Sequence, residues 1–284
     1  MQHKIGMFSA TRNGRTFGEM MILAKDMGFS GIELFAHDDL ETPDLNVAKR
    51  LADQAKEQKM TICCLSMGAD LMAEDQAQQV RRIKNYILVA KAAGVPYVHF
   101  TTFPVLCYDP RGIAMNRMIR TVAPAVRELC DFAGEHGVCC VVEGQGYYMN
   151  GTAPLAQLVE EVNHTNLGIV ADLGNSLCVD EEPERFVGYF APMIRHVHIK
   201  DMAQAAQPDD TPGVRWIRTR GGSWIHRTEL GHGVVDLEKC LGILSAVGYD
   251  GWYSIENSYL DRLEQAAQDV RYFHSLLDRM SGKA

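Results

Sequence analysis

Eight short apolar or β-branched runs recur along the chain, each followed by a segment that reads as a helix. This alternation limits the possible folds more than any other feature. The runs are KIGMFSA (4–10), GIELF (31–35), MTICCLS (60–66), YVHFTTF (97–103), VCCVVEG (138–144), LGIVADLG (167–174), RHVHIK (195–200) and GWYSIEN (251–257). Helices are expected over 16–28, 46–58, 75–93, 115–136, 153–163, 183–190, 236–247 and 261–279. Several of them close on a glycine (Gly28, Gly94, Gly137 and Gly248) in the manner of a C-cap. Asp236 and Thr152 are expected N-caps, the latter just before Ala153–Pro154. Eight strand–helix units predict a single α/β domain, a (β/α)8 TIM barrel over 1–284. A doubly wound open sheet would need a phosphate-binding turn after an early strand. The first run is followed by SATRNGRTF, which has neither GxGxxG nor GxxxxGK[ST] spacing.

One interval breaks the rhythm. Residues 201–236 form a long connection after the seventh strand. Structureless loops of that length are uncommon and tend to be functional, so it is expected to lie over the catalytic face.

The barrel selects the residues that matter, because C-terminal strand ends converge on one mouth. Those ends carry Glu33, Ser66, His99, Glu143, Asp172, His198 and Glu256. Side chains alternate along a strand, so Val141 shares a face with Glu143, Val170 with Asp172, and Ser254 with Glu256. Strands five to eight therefore deliver Glu, Asp, His and Glu to one place. Burying three carboxylates together is costly without a cation. Oxygen-rich ligation with one imidazole suits Mn2+, Mg2+ or Co2+, with Zn2+ also possible. His196 lies two residues before His198, hence deeper, and is expected to be a hydrogen-bonded interior residue. Lys200 is a candidate electrostatic helper or general acid, with a salt bridge to Asp201 or Glu256 as the structural alternative. His99 and Glu33 are candidate contacts to substrate hydroxyls. Arg215, Arg218, Arg220 and Arg227 form a basic stretch suited to a small anionic group. Phe8, Phe35, Trp216, Trp224 and Tyr259 are aromatic candidates for packing on a sugar ring.

A formal charge of -8 argues against a dedicated nucleic-acid binder. The eight cysteines include no CxxC pair, which removes most of the weight from thioredoxin-like and zinc-finger readings. The N-terminus MQHKIGMFSAT shows no apolar signal segment, and no run approaches the length of a membrane span. A cytoplasmic protein with no membrane or nucleic-acid partner is expected.

The set EGQ (143–145), ADLGN (171–175), HVHIKD (196–201), ELGHG (229–233) and SIEN (254–257) resembles the sugar isomerase/epimerase superfamily of xylose isomerase-like barrels. The resemblance to its ketose 3-epimerases implies four metal ligands at Glu143, Asp172, His198 and Glu256, with Mn2+ the expected ion. It also implies that Glu143 and Glu256 form the proton-transfer pair. Asn175 stands where such epimerases often carry histidine and is grouped with the substrate contacts. The arginine those enzymes place soon after HxH is absent at 202–204, and Arg218, Arg220 or Arg227 is expected to replace it. The Lys200–Asp201 ending is similar to that of inosose dehydratases and keto-sugar isomerases. The resemblance thus implies a sugar or polyol substrate, proton transfer through a metal-stabilised enediolate, and a homo-oligomer. A keto-polyol dehydratase is the alternative. An abasic-site endonuclease or a non-catalytic sugar-binding barrel is more remote.

Overall fold

Period-two apolar runs bounded by polar turns pair edge to edge, and here they close on themselves. The computed structural model describes residues 3–9, 14–36, 40–106, 108, 111–256 and 263–282. The strands are β1 (Ile5–Phe8), β2 (Gly31–Phe35), β3 (Thr61–Met67), β4 (Tyr97–Phe100), β5 (Cys139–Glu143), β6 (Leu167–Asp172), β7 (Ile194–Ile199), β8 (Asp201–Ala205), β9 (Ile217–Arg218), β10 (Trp224–Thr228) and β11 (Trp252–Ile255). Eight of them form a closed barrel in the order β1-β11-β7-β6-β5-β4-β3-β2, with every pairing parallel. The fold is a single TIM barrel. The first, fourth and sixth strands stop short of the runs at 4–10, 97–103 and 167–174, because the chain leaves the barrel rim there.

The helices are α1 (Phe17–Asp26), α2 (Leu45–Glu57), α3 (Gln76–Ala93), α4 (Met115–Glu135), α5 (Thr152–Val162), α6 (Pro183–Phe190), α7 (Leu237–Ala246) and α8 (Leu263–Met280). Their starts follow capping chemistry. Thr16 and Glu19 form a reciprocal capping box, and the carboxylates of Asp44, Asp75 and Asp236 accept first-turn N–H groups. Thr152 departs from expectation: it is the first helical residue, and Gly151 is the N-cap. Its N–H and hydroxyl both donate to the carboxylate of Glu181, a charge-assisted pair of bonds. The four closing glycines all have positive φ, from 69° to 96°.

Two cores result. Residues such as Met7, Leu34, Phe100, Val142, Val197 and Ile255 fill the shell between sheet and helices. Inside the barrel, Cys64, Val141 and Val170 make a small separate plug against Tyr97 and Cys139. Above that plug the interior turns polar.

The 201–236 interval is not structureless. β8 follows β7 after a single residue, Lys200, and pairs antiparallel with β10, which pairs with β9. This flap bends back over the mouth. Its tip docks on the loops after β5 and β6: Thr219 and the Gly221 N–H donate to Asp180, the Arg220 N–H to the Cys178 carbonyl, and Tyr147 Oη to the Arg218 carbonyl. Its root is gathered by Asp201, whose buried carboxylate accepts the N–H groups of Met202, Gly231, Gly233 and Val235 at 2.8–3.1 Å.

Candidate functional site

Glu143 ends β5, Asp172 ends β6 and His198 is the penultimate residue of β7, so parallel register alone sets them side by side. Each of the three offers a ligand atom within 4.8 Å of the others, and all three are buried. His198 Nδ1 lies 3.2 Å from Glu143 Oε1 and 3.7 Å from Asp172 Oδ2. Asp172 Oδ1 accepts the N–H groups of Gly174 and Asn175 at 2.8 and 2.9 Å, which aims Oδ2 at the mouth. Oxygen donors with one imidazole nitrogen are a set able to hold a hard or borderline divalent ion.

Beneath this trio lies a second group, Glu33, His196 and His198. Its members touch directly: Glu33 accepts from His196 Nε2 at 2.6 Å and from His198 Nε2 at 3.0 Å. Ser66 Oγ donates to the same Glu33 oxygen as His198, and His99 Nδ1 lies 3.0 Å from Ser66 Oγ. His99 Nε2 in turn faces Glu143 Oε2 at 3.5 Å. Glu33 and His99 thus stand in the wall of the site, and Glu33 is fully buried. His196 is the interior hydrogen-bonded residue its depth implied.

The other side is cationic. Lys200 Nζ sits 2.6 Å from Asp172 Oδ2 and 2.7 Å from Glu256 Oε2. Its stem needs Gly174: a Cβ there would stand 2.8 Å from Lys200 Cγ. Asp201 is left to the flap root, so of the two salt-bridge partners weighed for Lys200 the structure shows Glu256. Arg227 on β10 donates to Glu256 Oε1, and its Nη1 reaches the Glu256 carbonyl at 3.0 Å. Arg227 is therefore the arginine that reaches these carboxylates. Arg218 is exposed and engages the structure through its carbonyl. Asn175, expected among the substrate contacts, is half-buried in the loop after β6. Its Nδ2 donates to the Gly144 carbonyl at 3.1 Å, tying the β5 and β6 loops together.

Of the aromatic candidates, Phe8 packs 5.3 Å from the His198 ring and edge-on to Phe35. Trp216 instead meets the His226 ring edge-on, with centroids 4.4 Å apart, and Tyr259 falls outside the described residues. The missed feature is the β9–β10 hairpin that carries Arg227. Its signal was TRGGSW, two glycines between short alternating segments.

Charge states follow from this packing. Burial alone would raise Glu33, Glu143, Asp172 and Glu256, but the adjacent hydrogen-bond partners and positive groups win. His198 and His196 hold Glu33 well below the usual carboxylate range, and His198 and His99 do the same for Glu143. Lys200 lowers Asp172, and Lys200 with Arg227 lowers Glu256. Burial opposes charge on His198 and Lys200 as well. Glu33, Asp172 and Glu143 nonetheless push His198 well above the ordinary value of 6.5, and Asp172 with Glu256 raises Lys200. For His196 burial prevails and its value falls.

Comparison with known proteins finds the same barrel elsewhere. A family profile described as a xylose isomerase-like TIM barrel matches residues 21–276. The L-ribulose-5-phosphate 3-epimerase UlaE of Shigella flexneri is 24% identical over 270 residues, spanning 90% of this chain and 87% of that protein. Inosose dehydratase 1 of Bacillus cereus is 25% identical over 140 residues, 48% of this chain and 45% of that one. A xylose isomerase-like TIM barrel protein of Mycobacterium smegmatis, solved in complex with magnesium, superposes with a TM-score of 0.72 at 18% identity, covering 94% of this chain and 89% of that one. The IOLI protein, solved with a zinc atom, gives a TM-score of 0.75 at 19% identity, covering 97% and 98%. The two structural likenesses are likenesses of fold. No helix among the described residues is long and apolar enough to cross a membrane.

Proposed function

The chain belongs to the xylose isomerase-like TIM barrel family, and on that premise we propose that it is a sugar isomerase or epimerase. In this reading Glu143 and Glu256 exchange a proton with a carbon next to a carbonyl. The observation that carries it is positional. Adjacent strands β5, β6, β7 and β11 present Glu143, Asp172, His198 and Glu256 as one arc, with the two glutamates at its ends.

The donor set fits a divalent cation. Glu143, Asp172 and His198 Nδ1 converge, and Glu256, the fourth expected ligand, stands beyond the Lys200 ammonium that lies between it and Asp172. Such an ion, with Mn2+ the first choice and Mg2+, Co2+ or Zn2+ compatible, would polarise the substrate carbonyl and lower the cost of removing the neighbouring proton. The protein's own groups do the rest. One glutamate accepts the proton from one face of the carbon. The other returns a proton from the opposite face, which inverts the centre. Return to the adjacent carbon interconverts aldose and ketose. Lys200 and Arg227 hold Glu256 ionised and oriented, while the flap covers the mouth against water.

A keto-polyol dehydratase is the second reading, favoured by one feature: Lys200 stands beside Glu256, where it would donate to a departing hydroxyl. Its raised pKa would make it a reluctant donor in that role.

The test is proton NMR of the Mg- or dilute Mn-loaded protein in D2O with ketoses, their 5-phosphates and inososes. Deuterium at a carbinol carbon of a new sugar supports the proposal, and its position separates epimerase from isomerase. An unsaturated or deoxy-keto product transfers the assignment to dehydratase. No exchange in any of these sugars would refute it.

A further inference from the structure

The flap is fastened at its two ends in different ways. At the root the Asp201 carboxylate is 1% exposed and gathers four main-chain N–H groups. At the tip the acceptor is Asp180, an exposed residue. Its Oδ1 accepts from Thr219 Oγ1 at 2.7 Å and its Oδ2 from the Gly221 N–H at 2.6 Å. Breaking a buried hydrogen bond strands its groups, whereas an exposed one is exchanged for bonds to water at small net cost. The root is therefore built as a hinge and the tip as a catch.

The reaction centre needs such a device. With the tip seated, Glu143 and Asp172 are 4% exposed and His198 is 2% exposed, too little for a sugar carbonyl to reach them. Ile225 and Arg227 share one face of β10, because strand side chains alternate. Ile225 is fully buried and Arg227 holds Glu256, so that face is turned to the barrel. β10 starts at Trp224, immediately after Ser223, whose carbonyl takes the Thr219 N–H and closes the tip. Where the tip sits therefore governs where β10 and Arg227 sit.

Asp180 and Gly221 are fitted to each other. Asp180 ends the short 3-10 turn Asn175–Val179 at φ 59°, a left-handed backbone that glycine adopts more freely. A Cβ on Gly221 would stand 2.6 Å from Asp180 Oδ2. A carboxylate is thus kept at a position that suits glycine, and a glycine is kept opposite it where a side chain would part the two.

We propose that Asp180 is the catch of the flap and a positioning residue for Glu256. Released, the tip swings on the Asp201 root and opens the mouth to a sugar. Engaged, it seats β10 so that Arg227 holds Glu256. Asp180 itself touches no reacting atom. The consequence for the reaction rests on the isomerase or epimerase reading above, whereas the catch is a property of the chain without substrate.

The experiment is amide hydrogen exchange of parent, D180G, D180N and G221A, alongside deuterium incorporation into a sugar. Glycine keeps the left-handed backbone unstrained, so D180G removes the carboxylate alone. The reporter is the Arg220 N–H, whose acceptor, the Cys178 carbonyl, no variant alters. In D180G and G221A it should exchange about 10-fold faster or more, with Gly231, Gly233 and Val235 within about twofold of the parent. D180N retains an acceptor for Gly221 and tolerates the backbone, so it should stay within about threefold. On a sugar turned over by the parent, D180G should lower kcat about 10-fold with KM within about threefold, and D180N should restore it. D180G should add less than about twofold to the loss in R227A, because both act through one contact.

Parent-like exchange of Arg220 in D180G would overturn the catch, as would equal loosening at the root. Losses that multiply in D180G/R227A would overturn the route through Arg227. If D180G does not fold, G221A puts the same question from the flap side. Should no sugar take up deuterium, the isomerase or epimerase reading falls, and exchange at Arg220 still decides the catch.

Discussion

Glu143 and Glu256 have matching duties in the proposed reaction, yet the molecule holds them in opposite ways. Glu143 is buried in the barrel wall between two imidazoles, His198 and His99, both linked to Glu33 below. Glu256 lies past the end of β11 with 17% of its side chain exposed, held by Lys200 and Arg227. Glu143 is thus held by two rings packed in the barrel interior, and Glu256 by an ammonium and a guanidinium that fix its charge and direction. Because Arg227 belongs to the flap, seating of the flap acts on Glu256 and leaves Glu143 alone. In the proposed reaction the two faces of the carbon would then be tuned by separate parts of the fold.

Removing each carboxylate tests this most strongly. Glu143→Gln should cut deuterium exchange by about 10^3-fold or more and weaken metal binding as well, since it disturbs the buried trio. Glu256→Gln should slow exchange by about 10^2-fold with a smaller loss of metal affinity. Equal losses in both measurements would erase the distinction. Arg227→Ala should lower kcat by about 10-fold through Glu256, with metal affinity nearly unchanged in calorimetry. A purely KM effect would mean that Arg227 holds substrate instead.

The pH dependence of melting sharpens the contrast without a substrate. Glu33, Glu143, Asp172 and Glu256 are lowered, so their stabilisation is present above the unfolded values (4.5 for Glu, 3.8 for Asp) and is lost as pH falls through the lowered ones. His198 is raised, so its contribution is full below 6.5 and is lost as pH climbs through the raised value. The metal-free protein should therefore melt highest between these limits. A divalent ion should offset the alkaline loss, because it binds the deprotonated imidazole. Melting curves with and without chelator that fall in parallel above pH 6.5 would contradict this. The smallest effect is expected for Arg218→Ala, within about twofold in exchange rate, as for an exposed side chain outside such features.

Much of this was legible in the sequence because a barrel turns order into position. Once eight strands are counted, strand ends and period-two alternation place Glu143, Asp172 and His198 together with no further information. What alternation cannot supply is the neighbour across the interior. Glu33 sits where the β2–β3 register shifts between Ile32 and Glu33, an irregularity that local pattern does not announce, and it meets His196 and His198 from across the barrel. Asn175 is grouped with the substrate contacts because it stands where ketose 3-epimerases often carry histidine. Its partner, the Gly144 carbonyl, belongs to a loop whose path only the folded chain fixes. Arg227 was hidden among four arginines, and distinguishing it needed the pairing of β10 with β8, which sets Arg227 opposite Met202.

The carboxylate of Asp201 has an evolutionary consequence. By collecting four main-chain N–H groups at the base of the flap, it fixes the root whatever the outer reach does. Gly233 leaves no space there for a side chain. Residues 206–213 lie beyond that clasp and are exposed. Insertions or deletions at this outer bend would alter how far the cover overhangs the mouth while sparing Lys200, Arg227 and both glutamates. Descendants of this scaffold can therefore acquire larger or smaller substrates by changing the length of one bend, without trading a single charged group of the reaction centre.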